Sequence, residues 1–287
     1  MEDFIIGLDI GASLTKIVLV NERLEIIRRM VLPSMDPRET ALRALNNLFS
    51  TIDSEDRAKV RMTLSTGGRS RFLGNEILGI PIMRVDEIKA IGFGGLTLSG
   101  RNNCLVVSAG TGTALVAVYD GGRAIRHVGG TGVGGGTILG LSRRMIGVYD
   151  FKVLEEMALR GDPSKVDLTI NDIVGGSIGI LPANVTASNF GKILGEASAE
   201  DVAAGIFNMV SQTIAVVAVM AAKAYNLEDN VVVTGMLAKS RLISRIIRET
   251  TDLFSVNVII PDNCELAGAI GAIAVYLKEK GESDSKI

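Results

Sequence analysis

The sequence has only two cysteines and one histidine in 287 residues. Cys104 and Cys264 lie far apart and form no Cys-x-x-Cys pair, so the sequence predicts neither a disulfide framework nor a cysteine-based metal site. A reducing cytoplasm is therefore the expected compartment. Any catalytic pairing of serine or cysteine with histidine would have to use His127, which lies two residues before a glycine-rich run.

The sequence also lacks clusters of basic residues and a leader. Its 30 Lys and Arg residues nearly balance 32 Asp and Glu residues, and no basic run exceeds Arg28-Arg29 or Arg143-Arg144. Neither nucleic acid nor an anionic membrane is predicted as a partner. A signal peptide is not predicted, because no basic segment precedes an apolar one at the N-terminus. The apolar segment 202–224 is interrupted by polar residues and predicts a buried helix rather than a membrane span.

Hydrophobic periodicity and turn residues predict strands and helices in two similar halves. In the first half we expect strands at 4–9, 15–20, 26–31, 60–65 and 82–85, with helices at 38–50 and 86–98. In the second half we expect strands at 105–108, 114–119, 124–128 and 231–234, with helices at 137–146, 151–160, 199–225, 239–250 and 265–278. Leu42, Leu45 and Leu48 are expected to share the buried face of the first helix. Because each half begins with strand, small-residue bend and strand, we expect a weak duplication, with domains at 1–98 and 99–287.

The first bend, at residues 7–16, joins two predicted strands. Bending at Gly11 and Ala12 lets backbone N–H groups approach a phosphate without an intervening Cβ. Asp9 can hold a magnesium ion, directly or through water, because magnesium prefers oxygen ligands and keeps several waters. Since a strand rather than a helix follows, the bend is neither a Rossmann fingerprint nor a Walker A loop. The alternative is an ordinary glycine-containing hairpin.

Three further loops have the composition of ligand-binding turns. Residues 109–113 bend between two strands and carry hydroxyls that can donate to phosphate oxygens, although a plain β-turn also fits. The run 129–136 has glycine at six of eight positions and leads into an apolar helix. Ordering glycine is entropically costly, so this run indicates close approach to a ligand, with the N–H groups and dipole of the helix facing anionic oxygens. Gly235 and Met236 end a buried strand, either against an adenine or as an ordinary turn.

A phosphoryl-transfer site also needs a group that accepts the proton of the attacking hydroxyl. Glu87 is our candidate, at the start of a predicted helix near the boundary between the halves. Asp86 can instead act as the helix cap, and capping is the common role of such an acidic pair. His127 is a candidate substrate contact, and a structural role at the end of a strand is the alternative.

Together these loops resemble the acetate and sugar kinase, actin and heat-shock chaperone superfamily, and within it the type II pantothenate kinases. The motifs that carry the resemblance lie at 7–17, 66–68, 110–113, 128–141, 157–162, 167–173, 187–192 and 268–272. The resemblance implies an α/β, two-lobed actin-like (ribonuclease H-like) ATPase fold with duplicated βββαβα-type domains. It also implies ATP-dependent phosphorylation of the primary hydroxyl of pantothenate, the first step of coenzyme A biosynthesis, with Mg²⁺ and a homodimer formed through residues 199–225.

The resemblance further implies roles for individual residues. Glu87 matches the catalytic base, because Ala90 and Gly94 keep the expected spacing. The implied ATP-binding residues are Gly11, Ala12, Ser13, Leu14, Thr15, Lys16, Thr111, Gly112, Gly135, Gly136, Thr137, Phe151, Gly235 and Met236. The implied substrate-binding residues are Arg126, His127 and Gly130.

The sequence departs from the family pattern at the acceptor side. His127 stands where the family usually has an arginine that helps to bind the pantothenate carboxylate, and Arg126 comes one residue earlier. A one-residue shift along a strand reverses the facing of a side chain, so we do not expect Arg126 to substitute. Lys89 also replaces an acidic residue that usually follows the base.

Three other functions stay open at this point. A kinase for pantetheine, an N-acetyl sugar or another polyol would carry the same loops. An ATPase activator of the radical dehydratase type would need paired cysteines for an iron–sulfur cluster, a setting that Cys104 and Cys264 lack. A non-catalytic sugar- or nucleotide-sensing module would leave Glu87 without a role.

Overall fold

The computed structural model describes residues 3–192 and 195–284. Its strands are β1 (Phe4–Ile10), β2 (Leu14–Asn21), β3 (Ile26–Pro33), β4 (Val60–Thr66), β5 (Glu76–Ile77), β6 (Ile80–Arg84), β7 (Cys104–Ala109), β8 (Thr113–Tyr119), β9 (Ala124–Thr131), β10 (Leu168–Thr169), β11 (Thr186–Ser188), β12 (Val231–Thr234) and β13 (Val258–Ile259). Its helices are α1 (Pro37–Phe49), α2 (Ser54–Ala58), α3 (Glu87–Ser99), α4 (Gly135–Met145), α5 (Phe151–Arg160), α6 (Ile170–Val174), α7 (Ala199–Tyr225), α8 (Arg241–Asp252) and α9 (Ala267–Asp284).

Two sheets of matching topology organise the molecule. The first has the strand order β3-β2-β1-β4-β6-β5, and the second has the order β13-β12-β7-β8-β9. In each sheet, three consecutive strands pair antiparallel, and a later strand then joins the first of them in parallel, as β4 joins β1 and β12 joins β7. The predicted two-lobed fold with duplicated domains is therefore confirmed.

Each sheet buries both of its faces, as its apolar strands require. The first sheet packs α1 on one face and α9 on the other, and the second sheet packs α7 on one face and α3 on the other. Helix α3 thus belongs to the first half of the chain but covers the second sheet. Helix α9 belongs to the second half but covers the first sheet. The predicted division at residue 99 falls at the end of α3 and stays a prediction.

Helices α3 and α9 touch through glycines between the two sheets. A Cβ on Gly94 would lie 2.1 Å from the carbonyl oxygen of Ala267, and one on Gly271 would lie 1.8 Å from the carbonyl oxygen of Ala90. No side chain fits at such distances, so glycine is required for this close helix crossing. The contact fixes the start of α3, and with it Glu87, relative to the start of α9.

Helix α7 is a core helix. It is the one helix in the described part of the chain with the length and apolar composition to cross a membrane, but 67% of its most apolar window is buried inside the protein. Ser198 and Asp201 form a capping box at its start, and Asn226 ends it in a left-handed conformation. The predicted buried helix over 199–225 is confirmed.

Candidate active site

Asp9 and Lys16 form an ion pair at the end of the β1–β2 hairpin. They are partners in the strand register, and Lys16 Nζ lies 3.1 Å from Asp9 Oδ2, with both side chains less than a fifth exposed. Two glycines surround the carboxylate: a Cβ on Gly67 would lie 2.7 Å from Asp9 Oδ1, and one on Gly268 would lie 2.9 Å from Oδ2. Asp9 is therefore enclosed by the segment after β4 and by the start of α9.

The β1–β2 and β7–β8 hairpins meet at their tips. The hydroxyl oxygens of Ser13 and Thr111 are 3.0 Å apart and hydrogen-bonded, although 98 residues separate them in the sequence. Four backbone N–H groups at these two bends donate to no acceptor within the described residues: those of Ala12, Ser13, Thr111 and Gly112. Successive unpaired N–H groups form a concavity of the type that binds anions.

The glycine-rich loop before α4 packs directly on the second hairpin. Gly135 N–H donates to the carbonyl of Gly110 (2.8 Å), and Gly136 N–H donates to the carbonyl of Thr111 (2.9 Å). A Cβ on Gly134 would lie 2.6 Å from the Thr111 oxygen, which explains a glycine there. The expectation that the first N–H groups of α4 are available to a ligand is therefore wrong, because the protein itself occupies them. The positive end of the α4 dipole still faces the hairpin.

The turn after β12 reaches the same place. Gly235 has φ of +92°, and a Cβ there would lie 2.3 Å from the carbonyl oxygen of Ala109, at the end of β7. The following 3₁₀ turn contains the half-buried Met236 and brings Leu237 against Gly135. The structure thus brings together all four loops that the sequence singled out.

Glu87 and Asp86 divide two roles at the start of α3. The Asp86 carboxylate accepts a hydrogen bond from Lys89 N–H (2.9 Å), so Asp86 is the helix cap. The Glu87 carboxylate instead lies near Gly68, whose Cβ would be 3.7 Å from Oε2. Partial burial raises the pKa of Glu87, the carboxylates of Asp9 and Asp86 raise it further, and Lys16 opposes them. Glu87 and Asp9 therefore act on one another electrostatically across the ends of β1 and β4.

Three predicted nucleotide contacts have other partners in the structure. Thr15 is fully buried, with its hydroxyl 2.8 Å from Ser34 Oγ, so it cannot contact ATP through its side chain. It lies on the α1 face of the sheet, because neighbouring strand residues alternate and Lys16 faces the other way. Thr137 Oγ1 accepts from Gly134 N–H (3.1 Å) within the glycine-rich loop. Phe151 begins α5 and packs its ring on Phe207 of α7, with centroids 5.5 Å apart.

Arg126 and His127 project from opposite faces of β9. Arg126 pairs with Ala117, whose face is covered by α7, and His127 pairs with Val116, whose face is covered by α3. A bulge at Val128 follows the pair and shifts the register. The predicted reversal of facing is confirmed, and it is His127 that shares a face with the helix that begins at Glu87.

Sequence reasoning did not assign Thr66, Gly67 and Gly268 to the site, although their motifs carried the resemblance. The signal was present for the first two, since a Thr-Gly-Gly run directly follows the strand predicted at 60–65. Gly130 has a structural explanation, because its Cβ would lie 2.4 Å from the carbonyl oxygen of Thr113 on the neighbouring strand. Its substrate contact stays a prediction.

Both cysteines are buried in different parts of the core. Cys104 starts β7 on the α3 face of the second sheet, and Cys264 belongs to the cluster around α7. Burial raises the pKa of the Cys104 thiol to about 12 and that of Cys264 to about 11. Within the part of the chain that the structure describes, no group of three His, Cys, Asp or Glu residues could hold a metal ion.

Known proteins with similar sequences and structures fit this architecture. A type II pantothenate kinase of Bacillus cereus (strain G9842) is 28% identical over 283 residues, covering 93% of this chain and 97% of the relative. The activator of the 2-hydroxyisocaproyl-CoA dehydratase from Clostridium difficile, solved with bound ADPNP, has a TM-score of 0.68 at 19% identity, covering 100% of this chain and 98% of that one. A glucokinase of the ROK family from Streptomyces griseus, in complex with glucose and AMPPNP, has a TM-score of 0.61 at 13% identity, covering 95% and 98%.

These structural neighbours have the actin-like kinase and ATPase fold, and this chain shares it. The family model named Fumble matches residues 97–278, from the end of α3 through most of α9. The matched part includes the second hairpin, the glycine-rich loop and the turn after β12. The chain belongs to the Fumble family.

Proposed function

We propose that this protein transfers the γ-phosphoryl group of ATP to the primary hydroxyl of pantothenate, the first step of coenzyme A biosynthesis. The observation that carries the proposal is the meeting of the two hairpins at Ser13 and Thr111, beside a site that contains Asp9 and Glu87. The acceptor is inferred from similarity over nearly the full chain to proteins named type II pantothenate kinase.

The nucleotide phosphates would lie between the hairpin tips. The unpaired N–H groups at residues 12–13 and 111–112 supply donors from both lobes, and the positive end of the α4 dipole lies behind them. Two structural neighbours were solved with ATP analogues, which supports the same ligand here. Phosphoryl transfer on such a site depends on positioning and electrostatic stabilisation rather than on covalent chemistry.

The residues around Asp9 fit a magnesium ion. The Asp9 carboxylate is a hard oxygen donor, and the buried hydroxyl of its strand neighbour Thr66 has no hydrogen-bond partner among the described residues, which leaves it available to a water on the ion. A site with few protein carboxylates suits an ion that keeps several waters and takes its remaining ligands from phosphates. When bound, the ion would neutralise charge on the transferring phosphoryl group.

Glu87 would accept the proton of the attacking hydroxyl. Partial burial and the carboxylates of Asp9 and Asp86 raise its pKa, which makes it a better proton acceptor than an ordinary carboxylate. His127 projects on the α3 face of β9 and is the proposed acceptor contact, whereas Arg126 faces the opposite side. The acceptor side therefore differs in charge from the family pattern, which keeps pantetheine as an alternative acceptor.

The protein is proposed to act as a homodimer in the cytoplasm, as the sequence predicts. The helical stripe Met209, Val216 and Met220 on α7 stays partly or largely exposed, with Met220 67% exposed. An apolar stripe on a long core helix suits a contact with a second copy of the same helix.

The similarity in fold to a dehydratase activator supports a different function, an ATP-driven conformational switch. Such a protein would need cysteines that reach an iron–sulfur cluster shared between subunits. Cys104 and Cys264 are buried in separate core clusters and their thiols stay protonated, which argues against this role. Iron above trace level in protein purified without oxygen would favour the switch.

The direct test is a phosphorylation assay with purified protein, ATP and Mg²⁺. Pantothenate and pantetheine are supplied separately, ADP release is followed, and the phosphorylated product is identified by mass. We expect transfer to pantothenate. Transfer to pantetheine alone would change the acceptor, and ADP release without a phosphorylated acceptor would overturn the kinase function.

A further inference from the structure

Three buried side-chain oxygens have no hydrogen-bond partner within the described residues: Thr63 Oγ1, Thr66 Oγ1 and Ser142 Oγ. A buried hydroxyl without a partner destabilises the folded state, because it has lost its water and gained nothing in exchange. Valine has nearly the same shape as threonine and would avoid this cost. An unpartnered hydroxyl next to a candidate site is therefore a candidate for contact with a ligand.

Thr63 and Thr66 lie on the same strand but face opposite sides of the first sheet. They are three residues apart in β4, and side chains alternate along a strand. Thr63 pairs with Ile6, on the face that α1 covers. Thr66 pairs with Asp9, on the face that α9 covers at the edge of the site. Of the two threonines, only Thr66 therefore lies on the face of the sheet that carries Asp9.

The surroundings of Thr66 are shaped around the Asp9 carboxylate. Thr66 is 1% exposed, and the two glycines that follow it approach the site on either side, Gly67 at Asp9 Oδ1 and Gly68 at Glu87 Oε2. Thr66 thus lies at the end of β4, where the chain passes a candidate magnesium ligand and a candidate base. A ligand oxygen held beside Asp9 would give it the partner that the protein does not supply.

We propose that Thr66 is a positioning residue of this site, whose hydroxyl hydrogen-bonds an oxygen that Asp9 holds, either a water on the magnesium ion or a phosphate oxygen. The inference rests on the proposed kinase function. It explains why the chain keeps a destabilising hydroxyl at this position, because residues of active sites often lower the stability of the fold. Its effect is on the geometry of the ion and phosphate, not on proton transfer.

The experiment compares Thr66→Val with Thr63→Val, which removes the matching hydroxyl on the other face. Both variants are expected to melt at or above the wild-type temperature. The rise in melting temperature caused by Mg²⁺ and ADP should be lost or strongly reduced in Thr66→Val and unchanged in Thr63→Val. We expect kcat of Thr66→Val to fall about 10- to 100-fold, as for other groups that support a metal ligand, with little change in KM for pantothenate. Thr66→Ser should restore kcat to within a few fold.

A Thr66→Val protein with wild-type kcat and a wild-type melting response to Mg²⁺ and ADP would overturn the proposal. So would equal losses in Thr63→Val, because the effect would then come from the strand and not from the site. If Thr66→Val does not fold, the pair Thr66→Ala and Thr66→Ser makes the same comparison. Should the wild type phosphorylate no acceptor, the kinase function fails, while the melting response to Mg²⁺ and ADP still tests Thr66.

Discussion

The two hairpins of the duplicated fold occupy equivalent places but differ in chemistry. In the first sheet, Asp9 and Lys16 are the second pair of facing residues from the bend between β1 and β2. In the second sheet, the corresponding pair of the β7–β8 ladder is Ser108 and Ala114. The first lobe thus supplies charge, including that of Glu87, whereas the second supplies backbone N–H groups and the glycine-rich loop. The two sheets share one topology, but only the first half of the chain contains the proposed reacting groups.

The largest expected effect comes from the acid of the charged lobe. Glu87→Gln should lower kcat by about 10²- to 10⁴-fold, the usual contribution of a general base, because the amide cannot accept the proton. The melting response to Mg²⁺ and ATP should persist, because Glu87 is not expected to hold the nucleotide.

Asp86→Asn is the matched control for Glu87→Gln, since asparagine still caps α3 and the neighbouring charge is removed. Its turnover should stay within a few fold of the wild type. Near wild-type turnover in Glu87→Gln would remove Glu87 from the proposed mechanism and leave the charged lobe without a base.

Substitutions at equivalent positions of the two hairpins test directly whether they differ in function. Asp9→Asn should lower kcat/KM by about 10²-fold, because it removes the carboxylate proposed to hold the magnesium ion and leaves Lys16 without its partner. Ser108→Ala, at the same place in the second hairpin, should change kcat/KM less than about twofold, as most substitutions away from a site do. The readout is turnover at several Mg²⁺ concentrations, and equal losses in both variants would contradict the division between lobes.

The pH dependence of turnover should report the electrostatic link between Asp9 and Glu87. A general base must be deprotonated, so kcat/KM should fall as the pH drops through the raised pKa of Glu87, by about tenfold per pH unit below it. The Asp9 charge contributes to the raised pKa. In Asp9→Asn the acid limb of the pH profile should therefore move to lower pH. An acid limb that stays in place, or moves up, would show that another group controls it.

Much of this fold could be predicted from local patterns. The helices over 151–160 and 199–225 and the strand over 231–234 match the structure residue for residue, because strong periodicity and clear caps mark them. The strands β5, β10, β11 and β13 have two or three residues each, too few to show a period. Leu42 is 42% exposed although Leu45 and Leu48 are buried, because the 100° rotation per residue places Leu42 and Leu48 about 120° apart around α1.

The parts of the site that lie within one sequence segment could be predicted from that segment. The contacts between segments that are distant in the sequence could not. The bends were visible as small-residue runs between strands, and Glu87 as an acid beside a cap. The glycines that enclose Asp9 come from the end of β4 and the start of α9, so only the fold shows their purpose. The N–H groups of Gly135 and Gly136 are taken by carbonyls of the second hairpin, a pairing without a local pattern.

The smallest expected effect concerns the contact that joins the two hairpins. The Ser13 and Thr111 hydroxyls form one exposed hydrogen bond, and such a bond contributes about 0.5–1.5 kcal/mol at most. Ser13→Ala and Thr111→Val should each raise the KM for ATP a few fold, and the double variant should do little more than either single one. That non-additivity, measured as a double-mutant cycle in KM, would show that the two lobes grip one ligand through a shared contact. Fully additive effects on the KM for ATP would mean that the two hairpin tips bind the nucleotide independently of one another.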